Sequence, residues 1–176
     1  MSEPRIRLRP VAEEDLPRWV EWINDPEVTR FTGLEAGTAT LEGEQEWFRS
    51  VTSPECRPRN WQIEVGGRHI GGCSLDPGAA GQTAVFGIII GDKTAWGKGY
   101  GQAALREVLR MGFAQMGLHR IHLEAFADNA RAIRCYEKCG FRSEGLHRKA
   151  RFKRGEWRDT VSMAILRGEW ERCCGH

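Results

Sequence analysis

The sequence IIIGDKTAWGKGYGQAA occupies residues 88–104. Its three consecutive isoleucines predict a strand that is apolar on both faces and therefore lies centrally in a sheet. Glycines follow at positions 97, 99 and 101, and an apolar repeat with helical spacing begins at Leu105. Glycine tolerates a positive φ and lets a ligand approach the backbone closely. We therefore predict a glycine-rich turn between a strand and a helix, whose N–H groups suit a pyrophosphate.

Several interpretations of this turn compete. A nucleoside triphosphate loop requires Gly-Lys followed by Ser or Thr, whereas Lys98 is followed by Gly99, so the sequence excludes it. A dinucleotide fingerprint can be read as Gly99-x-Gly101-x-x-Ala104, with Glu124 as the ribose partner. That fingerprint normally opens a repeated βαβ array, and here the chain ends in two predicted strands without a helix between them. Coenzyme A is the third ligand, and a tight turn without any ligand is the simplest interpretation.

Outward from this turn, the patterns predict an α+β fold. A strand at 5–11 precedes helices within 13–24 and 40–51, the second of them capped by Thr40. Gly66-Gly67 predicts a hairpin between strands at 61–65 and 68–75, and another strand covers 84–90. One long helix follows the glycine turn, then a strand at 120–126. A shorter helix, capped by Asp128 or Asn129 and stopped by Gly140, leads into two last strands. This order predicts a mixed sheet rather than regular βαβ winding.

Length and composition limit the class of protein. A chain of 176 residues predicts a single domain over 1–176, with a core at about 5–167 and a C-terminal tail at 168–176. No apolar run approaches the roughly 18 residues of a membrane helix, and the first residues lack a secretory signal. We therefore expect a cytoplasmic protein without a membrane partner.

Charge and cysteine usage narrow the partners further. The net charge is only +2, which does not predict a nucleic-acid partner. The basic stretch at 147–158 predicts a solvated hairpin or a surface for an anionic partner. Six cysteines without a signal segment indicate reduced thiols. Cys135 and Cys139 are spaced like two ligands on a helix, but no second pair follows at zinc spacing, so we predict no metal site.

Two motifs resemble one family. Residues 96–101, WGKGYG, resemble the acetyl-CoA pyrophosphate loop of the GCN5-related N-acetyltransferases, whose pattern is [Arg/Gln]-x-x-Gly-x-[Gly/Ala]. Trp96 stands where many relatives have Arg or Gln. The spacing Asn129-x-x-Ala132-x-x-x-Tyr136-x-x-x-Gly140-Phe141 is similar to the second signature of that superfamily. Further matches at residues 144–145, 148, 155 and 159 resemble the branch of the ribosomal-protein N-terminal-alanine acetyltransferases. The resemblance covers about residues 5–167.

This resemblance implies a mostly antiparallel sheet that is splayed between its fourth and fifth strands and flanked by about four helices. It also implies acetyl-CoA as cosubstrate. The pantetheine arm would pair with the backbone of the fourth strand, and the pyrophosphate would bind the N–H groups of the turn. Asn129 would contact the pantetheine, while Lys98 and Arg131 would add charge near phosphates. The implied cofactor-binding residues are Ile88, Ile89, Ile90, Trp96, Gly97, Lys98, Gly99, Tyr100, Gly101, Gln102, Asn129 and Arg131.

The resemblance also implies catalytic roles. Tyr136 would stabilise or protonate the CoA thiolate that leaves. The general base is left open among Glu124, Glu64 and His122, with Glu124 taken as the first candidate. A lysine-like amine with a pKa of about 10.4 is neutral in roughly one molecule per thousand at neutral pH. An α-amine with a pKa of about 7.7–8.0 is neutral in roughly a quarter of molecules, and so needs only a weak base.

We therefore expect direct acetyl transfer to a primary amine in a ternary complex. A protein N-terminal amine is the first expectation for the acceptor, and a small polyamine or aminoglycoside-like amine is the alternative. Trp22, Phe31 and Trp47 lie on or after the first two predicted helices and would line either the acceptor side or the core. A non-catalytic acyl-CoA-binding sensor remains a rival from another class, and a homodimer is left open.

Overall fold

The computed structural model describes residues 4–78 and 81–174. The chain divides into two compact units. Unit 1 contains the residues up to 76 together with 87–104, and unit 2 contains 77–86 together with 105–176. Each unit therefore consists of two separate segments of the chain. The single domain expected from the length stays a prediction.

Unit 1 contains three strands and the second half of a fourth. β1 (Arg7–Pro10) pairs antiparallel with β2 (Arg59–Val65), which pairs antiparallel with β3 (Arg68–Pro77), and β3 neighbours β4 (Thr83–Ile90). Gly66 and Gly67 join β2 to β3 with φ angles of 56° and 80°. Both angles lie in the left-handed region that glycine adopts without strain, so the predicted hairpin is confirmed.

The helices of unit 1 follow from local sequence. α1 (Leu16–Asn24) begins with Pro17 in its first turn, where the missing N–H has no intrahelical acceptor to lose. Its apolar face buries Trp19, Trp22 and Ile23, which pack with Val28 into one cluster. α2 (Leu41–Thr52) begins where the Thr40 hydroxyl accepts a hydrogen bond from the Gly43 N–H at 3.1 Å, as predicted. The predicted inward residues of α2, Trp47 and Phe48, are half-buried.

A charged network in unit 1 fixes β1 against the start of α1. The Arg9 guanidinium donates to both carboxylate oxygens of Asp15 at 2.7 and 2.6 Å, and to Glu64 at 3.0 Å. Burial disfavours the charge of Asp15, but the bonds from Arg9 and from the Ala12 N–H hold the pKa of Asp15 below its usual value. The network joins the neighbouring residues Arg9 and Asp15 to Glu64, which is 55 positions from Arg9, and sequence patterns did not predict it.

Unit 2 contains the first half of β4, followed in the sheet by β5 (Arg120–Phe126), β7 (Glu156–Leu166) and β6 (Arg142–Lys153). β4 and β5 are parallel, and their register covers residues 83–85 and 120–122, the first part of each strand. β5 with β7 and β6 with β7 are antiparallel. These pairs confirm a mixed, mostly antiparallel sheet. The limited β4–β5 register is the pairing expected of a sheet that opens between these strands.

Two more helices follow the predicted plan. α3 (Tyr100–Arg110) continues into a π-helical turn over Met111–Gln115, so the long predicted helix ends in wider turns. α4 (Ala130–Lys138) begins at Asn129, whose side chain accepts from the Ala132 N–H at 3.3 Å. The chain leaves α4 at Gly140, which has a φ of 94° as predicted.

The expected C-terminal tail contains a helix. Residues 168–174 belong to α5 (Arg167–Cys174), the fifth α-helix among the described residues. The Glu169 carboxylate accepts from the Leu166 N–H at 3.0 Å, and Trp170 stacks on Phe113 at 5.5 Å. The Arg167 guanidinium donates to the carbonyls of Leu118 and Phe113 at 2.9 and 3.0 Å. Local sequence does not reveal these tertiary contacts.

The basic stretch at 147–158 forms the predicted hairpin, made by β6 and β7. Part of its charge is neutralised within unit 2, because Arg151 pairs with Glu124 and Arg158 pairs with Asp128. Among the residues that the structure describes, no helix combines the length and the apolar character needed to cross a membrane.

We predict that Gly91→Ala destabilises the protein strongly. A Cβ at Gly91 would lie 2.0 Å from the Trp22 ring, and both residues are buried. Overpacking of this kind costs about 1–3 kcal/mol or more. The measurement is the free energy of unfolding from chemical denaturation. Gly33→Ala is the matched control, because a Cβ there meets nothing within 4 Å. Equal unfolding midpoints for the two variants would contradict the prediction.

Candidate active site

The end of β4 is set by close backbone approach within unit 1. A Cβ at Gly71 of β3 would lie 2.1 Å from the carbonyl oxygen of Ile89 and 2.9 Å from the Cα of Ile90. Only glycine therefore permits β3 to lie this near to β4. Ile88, Ile89 and Ile90 are half-buried, so this last part of β4 is less covered than a core strand. Gly71 and Gly72 are two adjacent glycines inside a predicted strand, a sequence signal of close backbone approach that was not used to predict this contact.

The segment after β4 is held by side chains. The Asp92 carboxylate accepts from the N–H and the hydroxyl of Thr94 at 2.9 and 2.6 Å. The Trp96 indole N–H donates to the Ile90 carbonyl at 2.7 Å, and its ring packs against the cluster around Trp22. Trp96 was predicted to be a cofactor-binding residue. Its indole N–H instead closes the loop from the last residue of β4 to the glycine turn, and any contact with a cofactor stays a prediction.

The glycine turn has the backbone shape of an anion site. Gly97 and Gly99 have φ angles of 76° and 81°, and α3 begins at the next residue, Tyr100. The first α-helical bond runs from the Ala103 N–H to the Gly99 carbonyl at 3.0 Å. The preceding N–H groups of a helix have no intrahelical acceptor and carry its positive dipole end. Gly97, Lys98 and Gly99 are exposed, so the turn is open to a ligand.

Gly101 differs from the other two glycines because it lies inside the first turn of α3. A Cβ there would touch Ile90 and Ile88 at 3.8 and 3.9 Å, which is ordinary contact. The structure therefore places the predicted cofactor-binding residues from 88 to 102 together in unit 1. Tyr100, Gly101 and Gln102 supply the first turn of α3.

The remaining predicted site residues lie in unit 2, on or beside α4. Asn129 is half-buried and caps the helix, so its structural role is established. Arg131 is exposed in the first turn. Tyr136 lies one to two turns later, with its ring centroid 6.0 Å from that of Phe141. Burial raises the pKa of Tyr136 to about 12, so its phenol keeps its proton at neutral pH and can donate a hydrogen bond.

Glu124, the first candidate base, is held by two neighbours in unit 2. Thr160 donates to one carboxylate oxygen at 2.6 Å, and Arg151 donates to the other at 2.8 Å. These bonds lower the pKa of Glu124 below its usual value. Its carboxylate is therefore ionised at neutral pH but is a weak base. Sequence spacing had not indicated either partner.

The other candidate bases differ from Glu124 in charge and environment. Glu64 lies in unit 1 and accepts from Arg9. His122 lies in unit 2 on β5, and burial together with the charge of Arg120 lowers the pKa of its imidazole. Among the residues that the structure describes, its buried Nδ1 has no hydrogen-bond partner. The imidazole of His122 is thus neutral at pH 7, the state in which it can accept a proton.

The three aromatic residues expected near the acceptor have different surroundings in unit 1. Trp22 is 6% exposed and belongs to the core cluster. Phe31 and Trp47 are half-buried, and the Arg30 guanidinium lies 5.0 Å from the Phe31 ring. Across residues 4–78 and 81–174, no three His, Cys, Asp or Glu side chains gather in a way that could hold a metal ion.

Comparison with known families identifies the family to which the chain belongs. A family model described as "Acetyltransferase (GNAT) domain" matches residues 5–142, which is most of the chain. The matched range contains the glycine turn and the second signature, from Asn129 to Phe141.

Individual relatives extend the comparison. Spermidine N(1)-acetyltransferase of Escherichia coli is 28% identical over 171 residues, covering 96% of this chain and 90% of that protein. Aminoglycoside N(6')-acetyltransferase type 1 of Klebsiella pneumoniae is 26% identical over 159 residues, covering 82% and 77%.

A solved structure matches the fold. Spermidine N-acetyltransferase of Vibrio cholerae, crystallised with CoA and spermine, superposes with a TM-score of 0.86 at 24% identity and covers 94% of this chain and 97% of that one. With the family model matched over most of its length and the strand order and glycine turn in place, the chain belongs to the GNAT family of acetyl-CoA-dependent N-acetyltransferases.

Proposed function

We propose that the protein transfers an acetyl group from acetyl-CoA to a primary amine of a small polyamine or an aminoglycoside-like compound. The observation that carries the proposal is the exposed turn at Gly97 and Gly99, which lies immediately before α3 and follows the end of β4 after a short connecting segment. Positive φ angles at two alternate glycines direct successive N–H groups toward one side, as a diphosphate requires.

The residues present fit the diphosphate of acetyl-CoA. A Cβ placed on Gly97 would meet nothing within 4 Å, so no other part of the protein fills the space beside the turn at this glycine. The N–H groups of Tyr100, Gly101 and Gln102 would add the positive end of α3. Exposed Lys98 would add charge beside them. When bound, acetyl-CoA supplies the acetyl group and a thiolate as leaving group. The half-buried backbone of Ile88, Ile89 and Ile90 would pair with the pantetheine arm.

We propose that Tyr136 stabilises the leaving group, the thiolate of CoA. Its pKa of about 12 makes the phenol a donor that stays protonated. A thiol resembling Cys has a pKa of about 8.5, so complete proton transfer from the phenol would cost about 5 kcal/mol. Tyr136 therefore acts by hydrogen bonding to the developing thiolate rather than by giving up its proton. Asn129 would contact the pantetheine, and Arg131 would lie near phosphates.

The amine must lose a proton before or during attack. For a lysine-like amine, deprotonation at neutral pH costs about 4 kcal/mol. Glu124 stays our first candidate for receiving this proton, through a water molecule, but its bonds to Thr160 and Arg151 weaken it. His122 is the alternative, because its imidazole is neutral at pH 7.

The choice of acceptor class rests on charge and on relatives. α2 carries Glu42, Glu44 and Glu46 in its first half. Glu44 is half-buried, and burial raises the pKa of its carboxyl group. A polyamine or an aminoglycoside brings several positive charges that would favour ionised Glu44. The relatives named above act on spermidine or aminoglycosides according to their names, and none is described as acting on a protein N-terminus. They support the small-amine alternative over the ribosomal-protein branch.

The proposal predicts release of CoA thiol in an amine panel. Spermidine and an aminoglycoside are expected to support release, whereas a peptide with an N-terminal alanine is not. Because the reactive amine has a pKa of about 10.4, kcat/KM for spermidine should rise about tenfold per pH unit from pH 7 to 9.

Three outcomes of the panel would overturn parts of this assignment. Acetyl-CoA binding without release for any amine would favour the non-catalytic sensor. Release only with the peptide, levelling off above about pH 8, would restore the N-terminal amine as acceptor. A thermal shift with NAD but not with acetyl-CoA would favour the dinucleotide interpretation.

Tyr136→Phe tests the leaving-group donor. We expect kcat to fall by about 100-fold or more, while the dissociation constant of acetyl-CoA changes little. Burial of the ring is retained, so unfolding midpoints should match the parent. Tyr100→Phe is the matched control, since it removes the other tyrosine hydroxyl of the chain. An unchanged kcat in Tyr136→Phe would remove Tyr136 from the mechanism.

Glu44→Gln tests the acceptor side. Loss of one half-buried charge should raise KM for spermidine about twofold to fivefold without changing kcat. The effect should vanish for a monoamine, which has no second charge to bind. Glu46→Gln, an exposed neighbour on α2, is the control. Equal effects on spermidine and on the monoamine would mean that Glu44 stabilises the helix rather than the substrate.

A further inference from the structure

His69 lies on β3 in unit 1, and its side chain is only 9% exposed. Its Nε2 lies 2.6 Å from the side-chain oxygen of Gln62 and 3.1 Å from the carbonyl oxygen of Gly71. Its ring meets the Trp22 ring edge-on, with the two centroids 4.8 Å apart. The functional site described above makes no use of this imidazole, although it is buried and can carry a charge.

Two neighbours of His69 set the end of β4. A Cβ on Gly71 would lie 2.1 Å from the carbonyl oxygen of Ile89, and a Cβ on Gly91 would lie 2.0 Å from the Trp22 ring. Ile89 is the penultimate residue of β4, and Gly91 is the first residue after the strand. One imidazole therefore contacts both groups against which this strand end is packed, Gly71 by a hydrogen bond and Trp22 by ring contact.

The surroundings of the His69 ring decide which nitrogen carries the proton. The Gly71 carbonyl near Nε2 can only accept. The Gln62 oxygen also accepts, because the Trp19 indole N–H donates to it at 2.9 Å and so fixes the orientation of the amide. Nε2 must therefore be the donor. Nδ1 lies 3.2 Å from an Asp15 carboxylate oxygen but forms no hydrogen bond in the described part of the chain.

The charges around the ring act in both directions. Burial is the largest effect and lowers the pKa of His69, whereas the Asp15 carboxylate raises it. The guanidinium groups of Arg9 and Arg18 lower the pKa further. The net direction is downward from the ordinary value, so the imidazole is neutral at pH 7.5 and carries a single proton.

We propose that His69 is a positioning residue for acetyl-CoA. Its Nε2 proton holds Gly71 and its ring holds Trp22, so that the end of β4 stays in the position that pairs with the pantetheine arm. His69 acts through these two residues and is assigned no contact with the cofactor. The place of the proton follows from the contacts of the ring, whereas the effect on acetyl-CoA rests on the proposed pairing of pantetheine with residues 88–90.

Two amide substitutions separate the two ring nitrogens. The side-chain nitrogen of glutamine reaches the place of Nε2, whereas that of asparagine reaches only the place of Nδ1. We expect His69→Asn to raise the dissociation constant of acetyl-CoA about fivefold to tenfold, as the loss of one hydrogen bond does, and His69→Gln to stay within about twofold of the parent. His119→Asn is the matched control, because His119 is exposed and lies in unit 2. Calorimetry measures these constants without an acceptor amine.

Steady-state kinetics distinguish positioning from a purely structural role. In His69→Asn, KM for acetyl-CoA should rise while kcat and KM for the amine stay unchanged. Loss of folded protein would instead lower the unfolding midpoint and the apparent kcat without changing KM, and that result would overturn the proposal. Equal dissociation constants for the asparagine and glutamine variants would overturn it too. If the parent binds acetyl-CoA but acetylates none of the amines, the proposed acceptor fails, while the dissociation constants still test His69.

The proton on Nε2 has a test of its own, which does not depend on how the asparagine variant folds. In protein labelled with ¹⁵N-histidine, protonated and bare nitrogens of a neutral imidazole have different NMR chemical shifts. The signals of His69 are those that disappear in His69→Gln. At pH 7.5 we expect a protonated Nε2 and a bare Nδ1. A proton on Nδ1 alone would contradict the proposal, since Nε2 could then not donate to the Gly71 carbonyl.

Discussion

The end of β4 depends on backbone groups that approach more closely than any Cβ would allow. Gly71 brings β3 against Ile89, and Gly91 lies on the face of Trp22. Both contacts lie in unit 1, where they fix the last residues of β4 before the turn. Trp96 then closes the segment by donating to the Ile90 carbonyl at 2.7 Å. The residues before the glycine turn are therefore held in fixed positions. Fixed N–H groups can select a diphosphate, whereas mobile ones would adapt to any anion.

In unit 2, α4 concentrates several roles in few residues. Asn129 begins the helix, Gly140 ends it, and Tyr136 lies in its last turn. Burial holds the Tyr136 phenol protonated, which suits a group that donates to a thiolate over a wide pH range. The carbonyl of Tyr136 accepts hydrogen bonds from the N–H groups of Cys139 and Phe141 at the helix end, so the backbone of this residue is held at the point where α4 stops.

Features set by neighbouring residues were predictable from the sequence, and features set by distant ones were not. Gly66-Gly67 determined the β2–β3 hairpin, Thr40 the start of α2, and Gly140 the end of α4, because each acts within its own turn. The Arg9–Asp15–Glu64 network joins residues up to 55 positions apart, and no local pattern encodes it. α5 was missed since Trp170 and Arg167 are fixed by Phe113. The hydrogen bond of Trp96 was missed because its partner is a backbone carbonyl, which carries no sequence signature.

The candidate bases show why a residue type alone does not assign a proton acceptor. Glu124 has both carboxylate oxygens engaged, one by Thr160 and one by Arg151, so protonating it means weakening two good hydrogen bonds. The same bonds that keep it ionised thus oppose its use as a base. His122 differs, because burial favours the neutral form of its imidazole. Its Nδ1 has no hydrogen-bond partner in the described part of the chain, so no existing bond opposes protonation there. Receiving a proton would charge a partly buried ring, at a cost that the nearby Glu144 carboxylate partly offsets.

For an acceptor amine with a pKa near 10.4, a weak base lowers the barrier only slightly. Most of the deprotonation cost therefore stays with the substrate, and the pH dependence of turnover follows the amine more than the enzyme.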